Sequence, residues 1–291
     1  MSAVRSIQVQ AGGIASPGLE AGPADATEAV VFVHGNPGSS SDWTDLLQGA
    51  GEIGRAVAID MPGFGRAPVP AGFDHHVESY ASFLQDALEQ LGIERVHLVL
   101  HDFGGPFGLT WAIGHMQAFA SVVLFNIGIM PGYRWHKLAR RWRTPVIGEL
   151  SQAWIPRWAW RRVMGASNPP TMPLAFIDKM YDDYDRTTRD TVLALYRATP
   201  DPGRTAAEMG PILAAEKRPT LVIWGAKDPY IDVSFAERQC EFFDVRELIV
   251  LPESGHWAFQ DAPEAVRGPV LGFLRERLAE SRSGAPVGPA A

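Results

Sequence analysis

The stretch VHLVLHDFGGPFGLTWAIGH, residues 96–115, decides the fold. Its first six residues form a near-continuous apolar run of strand length. A helix-period segment follows from Pro106 to His115, and HDFGG joins the two. Two glycines in such a short joint let a helix turn back tightly onto its strand. Asp102 stands at the strand's carboxyl end, where an unpartnered carboxylate is costly to hold. The position therefore implies a use for the acid.

Working outward, similar apolar runs occur at 29–34, 56–60, 121–126, 220–225 and 246–252. Amphipathic segments at 75–91, 106–115, 233–243 and 262–278 alternate with several of them. Fully apolar strands alternating with helices predict an α/β fold, with a mostly parallel sheet covered on both faces. The alternation stops between Ile127 and Arg218. Five of the nine tryptophans and four of the six tyrosines lie in that stretch, too many for a plain surface helix. The expected organisation is a core from residues 1–126 and 219–280, a helical cap inserted at 127–218, and a disordered Pro/Gly-rich tail at 281–291.

Composition narrows the function. Hydrophobic residues are 46% and charged residues 20% of the 291, ordinary for a globular protein with a sizeable core. A net charge of −7 gives no electrostatic reason to bind nucleic acid. The single cysteine, Cys240, leaves no disulfide framework and no Cys-rich metal site, and it fits a reducing, cytoplasmic location. No other metal-ligand spacing or phosphate loop is present, so neither metal nor cofactor is expected. The N-terminus lacks a signal-peptide pattern. Residues 103–133 carry no Asp, Glu, Lys or Arg. Their glycines and prolines nevertheless break them into helix, turn and strand rather than a membrane span.

In open parallel sheets, ligands sit at the carboxyl ends of the strands. Four motifs fall there: HGNPGSS (34–40), HDFGG (101–105), WGAKD (224–228) and SGHW (254–257). Singly, each has a structural reading. Asp102 can cap a helix, Asp228 can shape a turn, and His256 can be a loop histidine. Together, and in this order, the chain resembles the α/β-hydrolase superfamily, specifically its members with an aspartate nucleophile. The resemblance covers about residues 29–278 outside the insertion. The elbow departs from G-x-nucleophile-x-G at Leu100 but keeps Gly104.

The resemblance implies that Asp102 attacks a saturated electrophilic carbon, forming an alkyl ester. His256, oriented by Asp228, would activate water to hydrolyse it. The backbone N–H groups of Asn36 and Phe103 would hold the oxyanion. Two families compete. Haloalkane dehalogenases resemble HGNPGSS through an asparagine that holds halide, but Phe103 replaces the tryptophan whose indole N–H is the second halide donor. An insertion tryptophan, Trp142 or Trp154, would have to substitute. Epoxide hydrolases need cap hydroxyls to protonate an alkoxide, and Tyr133, Tyr181, Tyr184 and Tyr196 are available. On this count the epoxide hydrolase leads and the haloalkane dehalogenase is the alternative. A non-catalytic receptor for a small ligand on the same scaffold is a distant third. The expected partners are a small apolar substrate and water.

The insertion also holds eight Lys/Arg and one acid between Arg134 and Arg162. These read as basic residues reaching solvent across an apolar cap. The second reading is a surface for anionic substrate or lipid, although membrane contact is not expected.

Overall fold

The computed structural model describes residues 2–153, 155–169 and 172–282. Trp154 and residues 283–291 of the expected tail lie outside them. Among the described residues, an eight-stranded sheet runs in the order β1-β2-β4-β3-β5-β6-β7-β8. The strands are β1 (Arg5–Ala11), β2 (Ile14–Ala21), β3 (Glu28–Val33), β4 (Arg55–Ile59), β5 (Arg95–His101), β6 (Phe119–Phe125), β7 (Pro219–Gly225) and β8 (Asp244–Leu251). Strands β3 to β8 pair in parallel, and β2 lies antiparallel to both β1 and β4.

The helices are α1 (Thr44–Ala50), α2 (Val77–Gln90), α3 (Gly104–Gly114), α4 (Lys137–Arg143), α5 (Ile147–Ser151), α6 (Arg157–Ser167), α7 (Leu174–Asp183), α8 (Arg186–Ala198), α9 (Pro202–Glu216), α10 (Ser234–Arg238), α11 (Ala258–Asp261) and α12 (Pro263–Arg282). The central strand β5 explains the two-sided packing. Val96, Leu98 and Leu100 face one way, into a core shared with α2 and α3. Val99 faces the other way, into a core shared with α1 and α12. A side chain fully buried on either face contributes about 1.5–3 kcal/mol, so a strand covered twice is mostly apolar, and its buried His97 is satisfied by Ser121 and Glu28.

Three differences from the sequence reading have physical causes. The hairpin β1–β2 is absent from that reading because its outward positions are polar and only alternate residues, such as Val9 and Ala11, are buried. Its signal is the Gly12-Gly13 pair, both at positive φ, as a two-residue hairpin turn requires. Helix α3 begins at Gly104 rather than Pro106, because the left-handed Asp102 turns the chain immediately. The helix expected at 233–243 is the short α10 continued by a 3-10 turn to Glu241, where Cys240 is exposed.

Between β6 and β7 the described chain is helical, α4 to α9, and contains no strand. Lys179 on α7 ties this insertion to the sheet side. Its ammonium donates to Asp42 Oδ1 (2.5 Å), Ser39 Oγ (2.8 Å) and Asp183 Oδ2 (2.7 Å). Part of the basic excess is neutralised within the insertion, where Arg157 and Arg161 pair with Asp182 and Asp178 of α7. Among the described residues no helix is long and apolar enough to cross a membrane.

Candidate active site

The strand-end motifs converge. Asp102, at the tip of β5, has φ of 50°. That left-handed conformation is strained for most residues and least so for Asn and Asp. It projects the carboxylate away from the strand. The turn closes with Gly105 N donating to the Asp102 carbonyl (2.9 Å). A Cβ at Gly104 would overlap the Val33 carbonyl of the neighbouring strand. Gly104→Ala is therefore expected to cost about 1–3 kcal/mol through overpacking, lowering the thermal midpoint by several degrees. An unchanged melting curve would show that the elbow has slack.

His256 joins the two acids. Its Nε2 lies 3.2 Å from Asp102 Oδ2 and its Nδ1 lies 2.7 Å from Asp228 Oδ2. Asp228 is held from three further sides. Tyr230 N (2.7 Å) and Ile231 N (3.0 Å) donate to Oδ1, and the Asn126 amide donates to Oδ2 (2.9 Å). Asn126, just beyond the end of β6, thus helps to position Asp228. It is itself pinned by the Gly225 N–H on its Oδ1 (3.0 Å). The Asp228 side chain is 1% exposed, whereas Asp102 keeps 13% open towards the cavity. Only one of the two carboxylates is therefore accessible to a ligand.

Burial alone would raise the Asp102 pKa. The hydrogen bond and charge of His256, with the Asn36 N–H, outweigh burial and hold it down to about 2. For His256, burial acts downward, but the Asp228 and Asp102 carboxylates prevail and push it up to about 10. At neutral pH the resting site is thus an imidazolium between two carboxylates. His101, whose Nε2 meets the His256 carbonyl (2.9 Å), is driven down to about 3 by burial and the His256 charge, and stays neutral.

A cavity of about 350 Å³ opens over Asp102 and His256, walled mainly by insertion residues such as Trp142, Trp160, Tyr181 and Tyr184. A smaller one of about 40 Å³ lies behind Phe103, against Tyr133 and Trp135. Asp102, His136, Tyr196 and Tyr230 line both.

Asn36 bridges Asp102 and the cavity. Its N–H donates to Asp102 Oδ1 (2.7 Å), and its amide Nδ2 lies 3.5 Å from the Tyr196 hydroxyl. Among the described residues, the Phe103 N–H makes no hydrogen bond to the carboxylate. The Phe103 ring is buried against Tyr196 and Trp135, with ring centroids 5.0 and 5.8 Å away. Three of the candidate tyrosines spend their hydroxyl protons on other protein groups. Tyr133 donates to the Tyr230 carbonyl (3.3 Å), Tyr181 to the Ile155 carbonyl (3.1 Å) and Tyr184 to Gln152 Oε1 (2.9 Å). The Trp142 ring packs 5.0 Å from that of Tyr196.

Sequence reasoning missed two residues here. Tyr230 stands two positions after Asp228, and its ring lies 5.1 Å from that of His256. Its place in the same strand-end loop was the available signal. His136 precedes α4 and lines both cavities. Its contact with the site depends on how the insertion folds back, which no local pattern reveals.

A parallel sheet with a left-handed elbow after β5, an acid after β7 and a histidine after β8 defines an α/β hydrolase. Residues 30–268 match the family model described as the alpha/beta hydrolase family, and the chain belongs to that family as a hydrolytic enzyme. Haloalkane dehalogenase 2 of Mycobacterium tuberculosis is 26% identical over 268 residues, covering 83% of this chain and 86% of that protein. A cis-3-alkyl-4-alkyloxetan-2-one decarboxylase of Xanthomonas campestris pv. campestris is 27% identical over 289 residues, with 90% and 93% covered. Among solved structures, haloalkane dehalogenase DbeA from Bradyrhizobium elkani USDA94 superposes with a TM-score of 0.81 at 23% identity, covering 95% of this chain and 99% of that one. An epoxide hydrolase from Vigna radiata does so with a TM-score of 0.78 at 19% identity, covering 94% and 98%. These two structures speak for the fold alone.

Proposed function

We propose that the protein hydrolyses a small apolar electrophile through an ester on Asp102, and that the leaving atom is a strained-ring oxygen, as in an epoxide opened to a diol. The observation that carries the oxygen reading is Tyr196. Its hydroxyl receives the Asn36 amide N–H, its own proton has no acceptor among the described residues, and it shares both cavities with Asp102. Burial, with the charge of Asp102, raises its pKa well above 10, so the proton is present at every working pH. The α4–α9 insertion acts as the lid that keeps this chamber apolar.

In the first step a carboxylate oxygen of Asp102 attacks a ring carbon. The carbon–oxygen bond breaks, its electron pair stays on oxygen, and that oxygen takes the Tyr196 proton. The His256 imidazolium reprotonates the tyrosinate and becomes neutral. Esterification has meanwhile cancelled the Asp102 charge that raised the pKa of His256, so the ring can now act as a base. It removes a proton from water, which attacks the carboxyl carbon while the Asn36 N–H holds the oxyanion. Collapse expels the alkoxide, which takes the proton still held on the attacking water's oxygen, so the diol leaves with both carboxylate and imidazolium restored. Epoxide and water are consumed and diol is formed, with every proton returned.

Two measurements check this cycle. Purified protein is incubated with styrene oxide, a 3,4-dialkyloxetan-2-one and 1-bromobutane. Diol from the epoxide is expected, and halide release without diol would reverse the assignment. Ester formation should be flat from about pH 5 to 9, because Asp102 is ionised throughout, with its pKa held to about 2. Ester hydrolysis should rise with pH, since it needs neutral His256 and that pKa falls from about 10 once Asp102 is esterified. Quenched-flow mass spectrometry separates the two steps. A hydrolysis rate that fell with rising pH would remove His256 as the base.

The second reading is a haloalkane dehalogenase. It is favoured by the Asn36 amide at the cavity wall and by the 26% identical relative of that name. Phe103, whose side chain offers no N–H, weighs against it.

A further inference from the structure

We infer that His136, a residue of the insertion, supplies a hydrogen bond from Nε2 to the oxygen that departs from the ring. The inference rests on the oxygen-leaving reading above.

The geometry fixes which ring nitrogen carries the proton. His136 is the N-cap of α4, and its Nδ1 accepts the Ala139 N–H at 3.2 Å. A neutral ring whose Nδ1 accepts must carry its proton on Nε2. Burial, aided by the charges of His256 and Arg140, outweighs the opposing carboxylates of Asp102 and Asp228 and lowers its pKa to about 4. The ring is neutral at working pH. Among the described residues Nε2 has no hydrogen-bond partner, and the ring borders both cavities beside Asp102.

Its neighbours complete a cradle. The ring centroid is 6.1 Å from that of Tyr196 and 5.0 Å from that of Tyr230. Phe103, the elbow residue whose side chain carries no N–H, faces the smaller cavity that His136 also lines. The insertion thus provides the side-chain N–H that the elbow lacks. A neutral imidazole N–H is too weak an acid to give up its proton, but it stabilises developing negative charge on oxygen. Tyr196 transfers the proton, and His136 lowers the barrier to breaking the carbon–oxygen bond.

The test separates this role from a structural one. Asn is among the best N-cap residues, so His136→Asn keeps an acceptor for the Ala139 N–H while its shorter side chain withdraws the cavity donor. In single turnover with styrene oxide, ester formation on Asp102 is expected to slow by about 10²-fold, the usual effect of losing one such donor. Ester hydrolysis should stay within about twofold. His136→Gln, which extends an amide N–H further, should recover part of the first-step rate. Ester formation at the wild-type rate in His136→Asn, or an equal loss in both steps, would overturn the inference and leave the Asp102 mechanism standing. A wild-type protein that forms no Asp102 ester would overturn the mechanism itself.

Discussion

Asp102→Asn is expected to abolish turnover, with kcat falling at least about 10⁴-fold, the scale on which removal of a nucleophile acts. Asparagine suits this test because it tolerates the left-handed backbone at φ 50°, so the elbow survives the change. It can still accept the Asn36 N–H at Oδ1. The negative charge, its nucleophilicity and the carboxylate oxygen facing His256 Nε2 disappear, and the amide Nδ2 takes that oxygen's place. Thermal unfolding should therefore change little while both ester formation and product release stop. Residual turnover above about one part in a hundred would show that another group attacks the substrate.

His256→Ala should separate the two steps rather than remove both. Asp228 does not depend on the histidine for its solvation, because Tyr230 N, Ile231 N and the Asn126 amide remain as donors. Folding should persist. Steady-state turnover is expected to fall by about 10³–10⁴-fold, with one equivalent of ester accumulating on the peptide that contains Asp102. Mass spectrometry of a protease digest reads this directly. An adduct on any other residue, or none at all, would place the chemistry elsewhere.

Much of the candidate site was legible because its residues lie at strand ends. The runs before Asp102 and Asp228 are apolar enough to declare buried strands, the run before His256 forms a partly exposed edge strand, and a polar residue just beyond such a run stands out. Parts that depend on tertiary approach were not legible. Nothing in YRWHK, residues 133–137, says that His136 reaches the Asp102 cavity, because that follows from how α4 and α8 lie over the sheet. The hydroxyls of Tyr133, Tyr181 and Tyr184 looked equivalent to that of Tyr196 as residue types. Their partners, two backbone carbonyls and Gln152 Oε1, distinguish them only in three dimensions. Nor does the sequence say that the Asn126 amide bridges Asp228 to β7. The β1–β2 hairpin escaped for another reason. An edge strand with one wet face carries half the apolar signal of a central strand, and only its Gly-Gly turn announced it.

The most direct measurement is a single turnover of excess enzyme with epoxide in ¹⁸O-water. If a carboxylate oxygen of Asp102 forms the new bond to carbon, the first diol released is unlabelled and one ¹⁸O appears in the peptide bearing Asp102. Label in that first diol, with the peptide left unlabelled, would mean that water attacks the substrate directly, and the ester mechanism would be contradicted.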